Sequence, residues 1–153
     1  MFDMVYEGSF SSWKNVIEEF NGCYDDEEAK QKVAELYPEP DIVLYANYGG
    51  GSYDGDAIVV WYDKGKFYTN EGGHCSCYGL EDQWSPEEYE PDIFLAVLDR
   101  KIESASDEGG DYPSSDKLVW RLIKKRAEFI INNLTKLENE QSSNALQLGM
   151  DEK

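Results

Sequence analysis

Among 153 residues there is one histidine, three cysteines and five prolines, and fourteen basic side chains stand against thirty-two acids. Each scarcity excludes something. With His74 as the sole imidazole, no centre built on several histidines can form. Three thiols, an odd number, cannot all pair, so a small disulfide-stapled scaffold is excluded and reduced cysteines in a cytoplasm are expected. No apolar run approaches the roughly 18 residues of a bilayer-spanning helix. The opening Met1-Phe2-Asp3-Met4 places an acid where a secretory leader carries bases, so no signal peptide is expected. The shortage of Lys and Arg argues against direct binding of nucleic acid, because that affinity comes from cations neutralising phosphates.

What the chain has in abundance is negative charge and aromatic surface. The formal net charge is −18, while 41% of residues are hydrophobic and 14% aromatic. Such a chain is too apolar to stay disordered and long enough to bury one core. Its charge repels nucleic acid and anionic membrane but attracts a basic protein. The expected partner is therefore a protein with a basic surface.

Taken in order, residues 2–6 open as a short strand. Ser11 and Ser12 offer an N-cap to Trp13, Val16, Ile17 and Phe20, whose spacing is helical, and Asn21-Gly22 closes that helix. Asp25, Asp26, Glu27 and Glu28 precede a second helix carrying Ala29, Val33 and Leu36. Acids there suit the positive end of the helix dipole, which is the plain reading beside that of a partner-binding cluster. Ile42 to Tyr48 and Ala57 to Tyr62 read as β-branched and aromatic strands. Lys64-Gly65 turns the chain into a third strand from Lys66.

The glycine-rich loop between the first two of these strands, with Tyr53, Asp54 and Asp56, lacks both the P-loop ending and the G-x-G-x-x-G spacing. An acid pair could hold a divalent cation, but glycine and aspartate at this density mark a hairpin loop first. Ser85-Pro86 suggests a helix start, and Pro91-Asp92 another, with Ile93, Phe94, Val97, Leu98 and Ile102 on its apolar side. Residues 104–116 read as a mobile polar loop. A last helix is expected over 117–137, and 138–153 as a flexible tail. Residues 1–56 carry thirteen acids and three bases, whereas 117–137 carry six bases and one acid. That contrast predicts the last helix lying along the acidic part of its own domain. The whole is read as one α+β domain over 1–137: a small antiparallel sheet of three to four strands, the last near 74–78, flanked by N-terminal and C-terminal helices.

The most distinctive stretch is Gly72 to Trp84, G-G-H-C-S-C-Y-G-L-E-D-Q-W. Three readings compete for it. Cys23, His74, Cys75 and Cys77 could supply a Cys₃His zinc set, although adjacent His-Cys side chains diverge on a strand. His74 could activate a cysteine nucleophile, at Cys77 if a turn intervened. Or the thiols are filling: in an extended segment Cys75 and Cys77 share a face that enters the core, with His74 and Tyr78 on the outer side. No cofactor is expected on the third reading, and catalysis is not favoured.

The same stretch, continued as S-P-E-E and preceded by Tyr53-x-Gly55-Asp56-Ala57, resembles a group of small bacteriophage proteins of uncharacterised activity. The resemblance covers about residues 42–90 and carries over no catalytic residue or cofactor. It implies a setting, the cytoplasm of a bacterial host. By analogy with other small acidic phage proteins, it also implies binding and modulation of a host protein, such as a nucleic-acid-handling or defence factor engaged by nucleic-acid mimicry. The candidate contact residues are Asp25, Asp26, Glu27, Glu28, Glu81, Asp82, Glu87 and Glu88, with Tyr53 and Trp84 as aromatic anchors. The alternatives are a small Cys/His-centred enzyme or metal-binding module, and a phage particle or assembly component.

Overall fold

A computed structural model describes residues 4–50, 54–107 and 110–147. Five strands form one sheet in the order β1-β2-β3-β4-β5: Tyr6–Gly8, Ile42–Tyr48, Gly55–Asp63, Lys66–His74 and Glu87–Tyr89. Helices α1 (Trp13–Phe20) and α2 (Glu27–Leu36) lie between β1 and β2, and α3 (Pro91–Ser104) and α4 (Lys117–Gln147) follow β5.

The α+β class expected from the sequence is present, but the sheet is mixed and has five strands. β1 runs parallel to β2, pairing Tyr6 with Ala46. Parallel neighbours need a long crossover, and the α1–α2 segment supplies it. The other three pairings are antiparallel. Lys64 and Gly65 both take positive φ, 48° and 88°, the geometry of the tight turn expected between β3 and β4.

Alternation along β3 divides the core in two. Ala57, Val59 and Trp61 face α1, where Trp13, Val16, Ile17 and Phe20 meet them. Ile58, Val60 and Tyr62 face α3 and α4, against Phe94, Leu98, Trp120 and Ile123. β2 keeps to both sides through a register shift between Val43 and Tyr45. Leu44 and Tyr45 thereby face the α3–α4 side together, while Val43 and Ala46 face α1. Both faces are covered, so β3 reads as an almost unbroken apolar run.

The helix starts follow their caps. Ser12 Oγ accepts from Asn15 N at 3.1 Å, and Asp26 Oδ1 from Ala29 N at 3.1 Å. Asn21 caps α1, and Gly22 follows it with φ 64°.

Four expectations fail for physical reasons. Ser85-Pro86 does not start a helix: Asn70 Oδ1 accepts the Ser85 amide at 2.8 Å, which draws the next residues into β5 beside β4. Residues 104–116, where described, are tied down rather than loose. Ser106 bridges to Asp116, and the Asp111 carbonyl accepts from Asp56 N at 3.1 Å. The basic α4 does not lie along the acidic N-terminal third. It sits on the opposite face of the sheet from α1, with Lys124 Nζ 2.7 Å from Asp99 and Lys117 Nζ 3.6 Å from Asp107. Its backbone stays helical to Gln147, past the boundary at 137 that the fading apolar periodicity suggested.

Candidate functional site

β4 ends at His74, and the expected strand over 74–78 is a turn closed by pairing Cys75 with Tyr78, whose carbonyl accepts from Cys75 N at 3.0 Å. This reverses the expected distribution of side chains. His74 is buried at 8% exposure, Cys75 is half-buried, and Cys77 and Tyr78 are exposed. The two-residue alternation that would have sent both sulfurs inward holds only for extended chain.

His74 Nε2 donates to the Gly49 carbonyl, and its ring packs 4.9 Å from that of Tyr48. Gly50 must be glycine here. Its φ is 99°, and a Cβ would come within 2.9 Å of the imidazole. Among the described residues no hydrogen bond joins His74 to either sulfur. The thiols instead meet each other: Cys77 Sγ lies 3.1 Å from Cys75 Sγ, and the Cys77 amide donates to Cys75 Sγ at 3.3 Å. The contact between the two sulfurs holds Cys75 below the usual cysteine range and pushes Cys77 above it.

The turn is braced from beside it. Both Glu81 oxygens accept from Gly79 N, at 3.0 and 3.2 Å, and Glu81 Oε2 also accepts the Tyr24 hydroxyl at 2.7 Å. Gln83 exchanges two 2.8 Å bonds with Gly73 and donates to the Gly79 carbonyl at 2.9 Å. Between turn, α1 and β2 opens a cleft of about 670 Å³, lined in part by Glu19, Tyr24, Tyr48, Cys75, Cys77 and Glu81. Burial, then the charges of Glu18 and Glu81, raise the Glu19 carboxyl. Burial, then Glu19 and Glu81, raise the Tyr48 phenol. Two carboxyls, Glu19 and Glu81, and two phenols, Tyr24 and Tyr48, thus share the cleft.

No protein-family model, curated protein or solved structure matches this chain.

Of the zinc set, Cys23 is buried at the α1–α2 junction and does not line the cleft, while His74 spends its Nε2 proton on backbone. Among the described residues no three His, Cys, Asp or Glu side chains are grouped to hold a metal. The acid pair of the glycine-rich loop is also engaged. Asp54 accepts from the Tyr112 hydroxyl, and Asp56 accepts from both the amide and the hydroxyl of Ser114.

The acidic candidates separate into two groups. Asp25, Asp26, Glu27 and Glu28 are exposed, and the Tyr24–Glu81 bond brings their end of α2 beside Glu81 and exposed Asp82. Lys30 and Lys32 partly offset Glu27 and Glu28 across 3.6 and 4.0 Å, a weak compensation for exposed pairs. Glu87 and Glu88 lie apart on β5 against the start of β4, where Lys66 reaches Glu88 at 3.7 Å. Trp84 packs within a cluster: stacked on Trp61 at 5.4 Å, with Trp13, Phe20 and Tyr37 within 5.9 Å. It closes the core rather than standing out as an anchor. Tyr53 lies outside the described residues. Glu19, Tyr24 and Tyr48 were missed by sequence reasoning, although the Asn21-Gly22 helix stop, which reverses the chain beside Glu81, was a signal.

Proposed function

We propose that this protein binds a basic protein of a bacterial host through a carboxylate face formed by Asp25, Asp26, Glu27, Glu28, Glu81 and Asp82, as a phage-type modulator. One observation carries the reading. The Tyr24–Glu81 hydrogen bond joins two acidic segments that lie 57 residues apart in the chain. Distribution of charge supports it further, since the basic α4 lies on the other face of the sheet and leaves the acidic side only partly compensated, by Lys30 and Lys32. A face of this kind attracts a surface built for phosphates, speeds encounter and loses strength in salt. Glu87 and Glu88 take a secondary place in this reading, because they sit apart beside Lys66.

The test is retention of proteins from a bacterial lysate on the immobilised chain, across a salt series and with duplex DNA as competitor. The expected result is a basic, nucleic-acid-handling protein retained at low salt and displaced by DNA. Failure to retain any basic protein at low salt contradicts the reading. For the Cys/His alternative the support lies in the two thiols, which line the cleft.

A further inference from the structure

We propose that Cys75 and Cys77 form a redox-active dithiol that exchanges with disulfides carried on cationic substrates. Four features of the geometry meet here. The sulfurs are in contact at 3.1 Å on an exposed turn rather than in the core. The Cys75–Tyr78 pairing and the Glu81 brace on Gly79 hold that turn closed, so the two sulfurs stay together. The Cys77 amide donates to Cys75 Sγ at 3.3 Å, which marks Cys75 as the thiolate and leaves Cys77, 3.1 Å away, as the resolving thiol. The cleft beside them carries Glu19 and Glu81, which repel an anionic substrate and draw a cationic one.

The chemistry balances without a metal or cofactor. The Cys75 thiolate attacks one sulfur of a disulfide R–S–S–R, the S–S bond breaks, and one RS⁻ leaves and takes a proton. Cys77 then gives up its proton and attacks Cys75 Sγ. The Cys75–SR bond breaks, the second RSH departs, and a Cys75–Cys77 disulfide remains. The protein is oxidised by two electrons, and the substrate disulfide is reduced to two thiols. Cys23 stays out of the exchange because it is buried.

The inference is independent of partner binding: ring closure can be read on the purified chain whether or not a basic protein is retained. The reduced full-length protein is incubated with cystamine, which is cationic, or oxidised glutathione, which is anionic, and followed by intact mass and peptide mapping. Expected is the loss of two hydrogens, mapped to the Cys75–Cys77 peptide. Cystamine should act faster than oxidised glutathione at low salt, and the ratio should fall as salt rises. Cys77→Ser should accumulate one mixed disulfide at Cys75, and Cys75→Ser should lose ring closure and most adduct formation. A wild-type chain that stops at a mixed disulfide, or one that remains fully reduced, overturns the proposal. So does equal adduct formation in the two serine variants, or faster reaction with oxidised glutathione.

Discussion

The Tyr24 hydroxyl donates to Glu81 Oε2 across 2.7 Å, tying the junction of α1 and α2 to the turn that carries Cys75 and Cys77. Its effect is visible in both partners. The bond to Glu81 pushes the Tyr24 phenol up to about 12, and the same bond holds the Glu81 carboxyl below its ordinary value. A carboxyl held low contributes stability above its unfolded pKa and loses that contribution as pH falls through the folded value. Tyr24→Phe should therefore move the Glu81 titration upward, toward the ordinary glutamate value of about 4.3. Carbon-13 NMR of the Glu81 carboxyl reads this directly, and an unmoved titration would mean the bond is not formed in solution.

Asp56 presents the opposite case. Burial raises its carboxyl, while the Ser114 hydroxyl and amide pull it back down. The folded chain thus holds this proton to higher pH than the unfolded chain. That stabilising term is complete below the unfolded value of about 3.9 and disappears as pH rises through the folded pKa. Ser114→Ala removes a hydrogen bond that favours the charged form, so it should destabilise more at pH 7 than at pH 3.5. Urea unfolding at the two values checks it. Asp56→Ala, which strands the Ser114 donors, should cost about 1–3 kcal/mol at neutral pH.

Trp84→Ala should cost about 3 kcal/mol, because it removes an indole stacked on Trp61 and opens a void between α1 and the sheet. Trp84→Phe should recover most of the loss. If Trp84→Ala left stability unchanged and weakened only partner binding, the indole would be an interface anchor after all.

Gly50→Ala tests the seat of His74. The positive φ and the 2.9 Å approach to the imidazole act together, so a loss of about 1–3 kcal/mol is expected in thermal or urea unfolding. An unchanged midpoint would show that His74 is not held by that loop.

How much of this could be read from the residues depended on how local the cause was. Ser12 caps its helix with its own side chain, and Lys64-Gly65 turns the chain by its own dihedrals, so these were legible. β5 was not, because Asn70 draws residue 85 toward β4 from 15 positions away. The faces of Cys75 and Cys77 were misjudged for a related reason. The alternation is a property of extended chain, and the turn at 75–78 is braced by Glu81 and, through it, Tyr24. The acidic runs were plain in the sequence, but their meeting is a tertiary fact, as is the separation of Glu87 and Glu88 from them.

Charge reversal on the carboxylate face is the most direct measurement of the central claim. A variant with Asp25→Lys, Glu28→Lys and Asp82→Lys alters exposed side chains and leaves the Tyr24–Glu81 bond in place. Lysate retention at low salt, compared between this variant and the parent chain, should show the basic partner lost while the circular dichroism spectrum is unchanged. Equal retention by the folded variant would contradict the account.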